Sequence, residues 1–254
     1  MPVDTLALES VVALVRSAAE NGAPVTILSS NANKARLAAG DPALRAALEH
    51  ATVCLPDGMS MVALLRLAGV HGLPRDASGV MLVDRLLRDP VAGSGVFLLG
   101  GEPEVAPAVA SRIERRYDIE LAGVEHGFFE DDEGVLERIA ASGARILLAG
   151  LGSPRQELWL ERWGDRIAAP VRVGVGGSFS VVAGERRLVP PRVRRFGLEW
   201  AYRTIQEPRR LGLRTLRNNA WFAAASARWL VSREGAHGTM VGARRTRSFG
   251  DGAG

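Results

Sequence analysis

The sequence has little cysteine and no long apolar run. A single cysteine, Cys54, among 254 residues excludes an internal disulfide and a metal site built from several thiolates. Cys54 lies in the apolar run from Ala51 to Leu55, which favours a small core residue. No uninterrupted apolar run approaches the roughly 20 residues that cross a bilayer. The N-terminal segment from Met1 to Gly22 lacks a basic region and spaces its apolar residues as an amphipathic helix does, so we expect no signal peptide and a cytoplasmic protein.

Basic charge is concentrated near the C-terminus. From Arg192 to Gly254 there are thirteen arginines and four acids, a net charge of +9, so the remainder of the chain carries −5. Such a segment favours phosphate, whether on nucleic acid, anionic lipid or a diphosphate substrate. A solvated helical surface is the open alternative, and nucleic acid is disfavoured because no known binding module is visible. Aromatic residues that suit a membrane–water interface lie among these arginines: Trp200, Tyr202, Trp221, Phe222 and Trp229.

The composition, 47% apolar and 24% charged, is that of a folded chain. Short apolar runs alternate with helical patterns, which is typical of βαβ units in a mostly parallel, Rossmann-like sheet flanked by helices. We expect this α/β domain over residues 1–191, a basic helical appendage over 192–232, and a disordered tail over 233–254. The predicted strands are Val25–Leu28, Thr52–Leu55, Gly95–Leu99, Ile146–Ala149 and Val171–Val175.

Polar or glycine-rich turns follow these strands, and in open α/β sheets ligands bind at the carboxyl ends of strands. The clearest turn runs from Gly150 to Pro154, between an apolar strand and a polar helix start. Gly150 and Gly152 let the backbone pass close to a ligand, and free N–H groups at a helix start favour an anion such as a diphosphate. An ordinary strand-to-helix turn in which Ser153 and Pro154 suit the first helical turn is the open alternative.

Several of these segments together resemble the WecG/TagA/CpsF glycosyltransferase family, over about Thr26 to Arg214. Each is weak alone, but their order and spacing are specific. The matching segments are Ser29-Ser30-Asn31, Leu55-Pro56-Asp57-Gly58, Phe97-Leu98-Leu99-Gly100-Gly101, Gly150-Leu151-Gly152-Ser153-Pro154-Arg155-Gln156-Glu157, Gly197-Leu198-Glu199-Trp200-Ala201-Tyr202-Arg203 and Glu207-Pro208-Arg209-Arg210.

The resemblance implies an inverting hexosyltransferase. It would move a hexose or N-acetylhexosamine, with N-acetylmannosamine leading, from a UDP-sugar to a polyprenyl-diphosphate-linked sugar in cell-wall or surface polysaccharide synthesis. The family works without a metal or other cofactor, and the pair Asp131-Asp132 is interpreted as a solvated turn. The implied location is peripheral, on the anionic inner face of the cell membrane. Family members can also assemble as homo-oligomers.

The resemblance also implies roles for single residues. Three of these are implied catalytic residues. Asp57 matches the catalytic base. Ser29 stands where the family usually has threonine and would orient the acceptor or the base, and Asn31 matches a neighbouring asparagine that would hold a sugar hydroxyl. The open alternatives are that Asp57 caps the helix that begins near Met59, and that Ser29 and Asn31 only form a turn. The implied substrate-binding residues are Gly58, Gly100, Gly101, Gly150, Gly152, Ser153, Pro154, Arg155, Gln156, Glu157, Gly176, Phe179 and Ser180.

Four arginines of the C-terminal part are the implied diphosphate ligands: Arg203, Arg209, Arg210 and Arg214. A surface salt bridge is the open alternative for each. The chain departs from the family pattern at Ser180, where the family often has aspartate, and at Leu188 and Val80. These departures leave the donor open between UDP-N-acetylmannosamine, another UDP-hexose and a different nucleotide sugar. A partial loss of activity is a further open alternative.

Two other functional classes stay open. The same glycines and parallel sheet are compatible with an NAD-linked oxidoreductase, although the dinucleotide fingerprint after Gly150 and Gly152 lacks its third glycine and its ribose-binding acid. A non-catalytic subunit that tethers a partner enzyme to the membrane through the basic tail is the other alternative. The presence of Asp57 favours an enzyme.

Overall fold

The computed structural model describes residues 2–67, 69, 78–91, 93–184, 193, 202, 217–228 and 242–244. Within these residues the helices and strands are β1 (Pro2–Asp4), α1 (Leu8–Asn21), β2 (Val25–Ser30), α2 (Ala32–Ala38), α3 (Pro42–His50), β3 (Val53–Pro56), α4 (Met59–Leu67), α5 (Gly79–Arg88), β4 (Val96–Gly100), α6 (Ala106–Tyr117), β5 (Gly123–Glu125), α7 (Asp132–Ala141), β6 (Ile146–Gly150), α8 (Arg155–Trp163), a 3₁₀ turn (Gly164–Arg166), β7 (Val171–Gly174), α9 (Ser178–Val182) and β8 (Gly242–Arg244). A further helix covers 217–228.

Six strands form one sheet in the order β3-β2-β7-β6-β4-β5, and every neighbouring pair is parallel. The predicted parallel α/β sheet is therefore confirmed. The five predicted strands are all present, with ends that differ by one or two residues. Their side chains are buried on both faces, as expected where helices cover both sides of a parallel sheet. The sixth strand, β5, was not predicted, because three residues carry too short a pattern.

Helices cover the two faces of the sheet, and the order of the strands favours a ligand site at their carboxyl ends. Residues of α1, α5, α6 and α9 form the core on one face, and residues of α3, α7 and α8 form the core on the other. Strands β2 and β7 are neighbours, yet the chain after β2 continues into α3 on one face while the chain after β7 continues into α9 on the opposite face. Where the connections after two neighbouring parallel strands go to opposite faces, a ligand crevice is expected at the carboxyl ends of those strands.

The N-terminal segment contains the predicted amphipathic helix, α1, which buries Val11 and Val15. It is preceded by β1, which was not predicted. A side-chain oxygen of Asp4 in β1 accepts a hydrogen bond from the backbone N–H of Cys54 at 2.7 Å. Cys54 itself is fully buried, which confirms its interpretation as a core residue.

The 217–228 helix packs against α2 and α4. Phe222 is 3% exposed and belongs to an apolar cluster with Met61 and Leu65 of α4 and Ala32 of α2. The expectation that Phe222 lies at a membrane interface is therefore wrong, because its ring is enclosed by the protein. Trp221 is partly buried against the same cluster.

Asn218 adds a polar contact between this helix and α2. Its amide oxygen accepts a hydrogen bond from Arg36 Nε at 2.6 Å, and its amide nitrogen donates to Asn33 Oδ1 at 2.9 Å. Part of the predicted appendage is therefore docked on the α/β domain. Trp200, Trp229 and most of the arginines of this region lie outside the described residues.

One segment of the predicted disordered tail is ordered. Gly242–Arg244 forms β8, which pairs in parallel with Pro2–Asp4. For these three residues the structure corrects the prediction of disorder, since their backbone groups are paired. Among the helices of the described ranges, none has the length and apolarity needed to cross a membrane.

The buried ring of Phe222 makes a testable contribution to stability. We expect Phe222→Ala to lower the free energy of unfolding by about 3–5 kcal/mol, as is usual for truncating a buried phenylalanine, measured by chemical denaturation. Ala224→Ser, on the exposed side of the same helix, is the matched control and should change stability by less than about 0.5 kcal/mol. Unchanged stability with weaker binding of Phe222→Ala to anionic vesicles would indicate lipid contact instead.

Candidate active site

The carboxyl ends of the parallel strands meet at one edge of the sheet. The turns that follow β2, β3, β4, β6 and β7 all begin there, at Ser30, Pro56, Gly100, Gly150 and Gly174. The residue register places Gly100 opposite Gly150 and Ser30 opposite Pro56. Segments that are far apart in the sequence thereby come together, as expected from the order of the strands.

Asn31 and Asp57 form one part of this edge. Asn31 is the N-cap of α2: its Oδ1 accepts a hydrogen bond from the backbone N–H of Lys34 at 3.0 Å. Its Nδ2 donates to Asp57 Oδ2 at 3.4 Å. Because the amide oxygen is used by the cap, the donor side of the amide faces the carboxylate. Asn31 therefore combines the turn-forming role with contact to the candidate base.

The backbone places Asp57 just before α4. Its N–H donates to the carbonyl of Ser30 at 2.8 Å and extends the pairing of β2 with β3. Gly58 occupies the N-cap position, since its carbonyl accepts from the N–H groups of Met61 and Val62 at 3.2 and 3.3 Å. Gly58 has φ +84°, a conformation that side chains disfavour. The position directly before the helix is thus taken by Gly58, and Asp57 is partly exposed.

A chain of hydrogen bonds through buried side chains runs along the edge. Lys34 Nζ donates to Ser29 Oγ at 3.1 Å and forms an ion pair with Glu157 Oε1 at 2.7 Å. Gln156 Nε2 donates to the same glutamate oxygen at 2.7 Å, and Gln156 Oε1 accepts from the N–H of Gly176 at 2.9 Å. This chain, Ser29-Lys34-Glu157-Gln156-Gly176, joins the ends of β2, β6 and β7.

The members of this chain are in the protein interior. Ser29 is 8% exposed, Lys34 4%, Gln156 1% and Glu157 0%. Gln156 and Glu157, which the sequence predicts to bind substrate, therefore use their side chains to hold neighbouring elements. The second oxygen of Glu157, Oε2, has no hydrogen-bond partner among the described residues.

Several glycines of the edge are required by close packing. A Cβ atom on Gly100 would lie 2.6 Å from the carbonyl oxygen of Gly150, and one on Gly150 would lie 2.6 Å from Cε2 of Phe179. Phe179, a predicted substrate-binding residue, is only 7% exposed. A Cβ on Gly152, in contrast, would meet nothing within 4 Å. Gly152 therefore lies in an open part of the turn, where space for a ligand exists.

The turn leads directly into α8, which begins at Arg155 with Pro154 at the N-cap position and no side-chain cap. No side chain caps the start of α8, so the alternative interpretation of an ordinary turn with a capping side chain does not hold here. Ser153 has a buried hydroxyl with no hydrogen-bond partner in the described part of the chain. Uncapped N–H groups at a helix start are a suitable place for an anion.

Arg155 is engaged by a neighbouring loop. Its guanidinium donates to the carbonyl of Gly127, and to that of Phe129 at 3.4 Å, and lies 4.7 Å from the centroid of the Phe129 ring. The Gly127 N–H in turn donates to the carbonyl of Gly101 at 2.8 Å. Arg155 thus holds the 126–129 loop against the edge, where the tip residue Phe128 is 66% exposed.

Two predicted positions near β7 and α5 are also placed. Ser180 is partly exposed, and its hydroxyl donates to the carbonyl of Gly177 at 3.2 Å. Val80 is buried in α5. The predicted diphosphate ligands Arg203, Arg209, Arg210 and Arg214 lie outside the described residues, as does Leu188. Within the described ranges, no group of three or more His, Cys, Asp or Glu side chains is arranged to hold a metal ion.

Sequence reasoning missed Lys34 and the 126–129 loop. Lys34 is in the first turn of α2, where the helix dipole disfavours a positive charge. A lysine at this unfavourable position in the sequence could have indicated that its ammonium group has a specific partner elsewhere in the fold. The loop has a weaker signal, the pair Phe128-Phe129 directly after a short strand.

A comparison with known protein families supports the resemblance that the sequence motifs indicate. The family described as "Glycosyl transferase WecG/TagA/CpsF family" matches residues 1–236 of the 254. The match includes the whole sheet, the Asp57 turn, the Gly152 turn and the 217–228 helix. It covers far more than half of the chain and confirms the resemblance found in the sequence motifs. The chain therefore belongs to the WecG/TagA/CpsF family of glycosyltransferases.

Proposed function

We propose that this protein is an inverting glycosyltransferase with Asp57 as its general base. It moves a hexose or N-acetylhexosamine, with N-acetylmannosamine as the first candidate, from a UDP-sugar to a sugar carried on a polyprenyl diphosphate. The observation that carries the proposal is the contact between the Asn31 amide and the Asp57 carboxylate at the open edge of the sheet, in a chain of this glycosyltransferase family.

The proposed reaction needs one carboxylate base. The acceptor hydroxyl oxygen attacks the anomeric carbon of the donor on the face opposite UDP, and a new carbon–oxygen bond forms. The bond between the anomeric carbon and the diphosphate oxygen breaks, and its electron pair leaves with UDP. The hydroxyl proton passes to Asp57. The hydrogen bond from Asn31 restricts the rotation of the carboxylate, which supports a defined direction of proton transfer.

The departing UDP carries negative charge that the site must stabilise. The backbone N–H groups of Gly152 and Ser153, just before the uncapped start of α8, are suited to a phosphate oxygen. Arg203, Arg209, Arg210 and Arg214 are proposed to complete the diphosphate site, because guanidinium groups bind phosphate in a bidentate manner. Together these groups provide stabilisation by charge and by oriented dipoles.

The proposed acceptor also favours a position at the membrane surface. A polyprenyl chain stays in lipid while its sugar stays in water. The arginines between Arg192 and Gly254 would each contribute about 1 kcal/mol at best to binding an anionic surface. Because Phe222 is buried, we assign this role to the arginines and to the aromatic residues outside the described ranges.

The donor is tested by measuring UDP release from the purified protein across a panel of UDP-sugars. A short-chain polyprenyl-diphosphate N-acetylglucosamine serves as acceptor. We expect release that requires both partners and is fastest with UDP-N-acetylmannosamine. Fastest release with another UDP-hexose would correct the donor alone. No release with any donor, from folded protein that binds no UDP in a thermal-shift assay, would contradict the proposed function.

The base is tested by Asp57→Asn. We expect the rate of UDP release to fall about 10²- to 10⁴-fold, the usual contribution of a general base, with a melting temperature close to that of the wild type. Asp41→Asn is the matched control, because Asp41 caps α3 by accepting from Leu44 N–H and asparagine caps equally well. Full activity of Asp57→Asn would show that another group takes the proton.

A further inference from the structure

Lys34 is the only lysine in the sequence, and every other strongly basic side chain is an arginine. It is also 4% exposed, although lysine is among the residue types least often buried. A chain that otherwise uses arginine thus places its one side-chain ammonium group inside the protein, at the edge that carries the candidate site. A compact ammonium differs from a guanidinium in shape and in its donors, so the choice points to a specific function.

The surroundings of Lys34 are well defined. Its Nζ lies 2.7 Å from Glu157 Oε1 and 3.1 Å from Ser29 Oγ. Glu157 is fully buried and is held in turn by Gln156. The carboxylate therefore balances the charge of Lys34 and directs its ammonium group toward Ser29.

This contact determines how Ser29 can be used. An ammonium group has three donors and no acceptor, so Ser29 Oγ must accept from Lys34. The single hydroxyl proton of Ser29 is then available for donation to another atom. A phosphate oxygen only accepts hydrogen bonds, and it gains from a nearby cation. Glu157 also lies in the first turn of α8, so Ser29 is near a helix end that favours anions.

We propose that Lys34 is a positioning residue that directs the Ser29 hydroxyl to donate to a phosphate oxygen of the departing nucleoside diphosphate. This inference rests on the proposed function and assigns a leaving-group contact to the same site. Lys34 does not touch the reacting atoms and acts through Ser29. Because negative charge on the phosphate oxygen grows as the glycosidic bond breaks, the effect belongs mainly in kcat.

The test variant must not leave a buried charge without its partner. Replacing Lys34 alone would isolate Glu157, so we combine Lys34→Met with Glu157→Gln. We expect this double variant to fold, and kcat for UDP release to fall about tenfold to a hundredfold, the range for losing a hydrogen bond to a charged group. The KM for the UDP-sugar should change less. Wild-type kcat in a folded double variant would overturn the inference.

Ser30→Ala is the matched control for this experiment. Ser30 is the neighbouring residue on β2, and its hydroxyl contacts the Pro2 carbonyl and Cys54 Sγ. It should keep wild-type kcat. The single variant Ser29→Ala and a triple variant, which adds Ser29→Ala to Lys34→Met and Glu157→Gln, complete the test. The kcat of the triple variant should be no lower than that of the slower of the single and double variants, because both sets of changes remove the same contact. Losses that multiply would contradict action through Ser29.

The single lysine also allows a measurement that does not depend on activity. Protein labelled with ¹⁵N-lysine gives one side-chain amine signal in an NMR spectrum. We expect Ser29→Ala to shift this signal, and UDP to shift it in the wild type. An amine signal insensitive to Ser29→Ala would overturn the inference even if the double variant failed to fold. Wild-type protein without UDP binding or release would overturn the proposed function and this inference with it, whereas active wild type with unaffected variants would overturn this inference alone.

Discussion

The ion pair between Lys34 and Glu157 is the interaction on which the arrangement of the candidate site depends. Both side chains are buried, and a buried charge that loses its partner destabilises a protein by about 3–5 kcal/mol. The pair therefore requires α2 and α8 to keep their positions relative to each other. Gln156 extends the same constraint to Gly176 after β7. The ends of three neighbouring strands are thus held by side chains and not only by the backbone ladder.

Packing of the 217–228 helix connects the candidate site with the C-terminal part of the chain. Asn31 is the N-cap of α2, and Asp57 lies two residues before the first residue of α4. The 217–228 helix packs on both α2 and α4, through Phe222 and through Asn218. The 217–228 helix, which follows the predicted diphosphate ligands in the sequence, is therefore attached to the two helices that begin next to the candidate base and its partner. The contacts that attach the 217–228 helix therefore also fix the positions of α2 and α4 beside the candidate site.

The sequence predicted the parallel sheet well, because each central strand is a continuous apolar run followed by a polar turn. It also predicted that Ser29, Asn31 and Asp57 would meet at one edge, since parallel strands end on the same side. It did not predict the buried role of Glu157 and Gln156, because local sequence does not show that a distant lysine approaches them. Nor did it predict that Gly150 serves the packing of Phe179, which depends on a tertiary contact. Short strands such as β1 and β5 carry too few residues for a periodic pattern.

If the ion pair between Lys34 and Glu157 organises the site, a nucleoside diphosphate binds at this edge of the sheet. The most direct measurement is a crystal structure of the full chain with UDP. We expect a diphosphate oxygen within hydrogen-bond distance of Ser29 Oγ, next to the turn of Gly152 and Ser153, with the contact between Lys34 and Glu157 intact. UDP bound away from this edge, or a diphosphate that leaves Ser29 without contact, would contradict it.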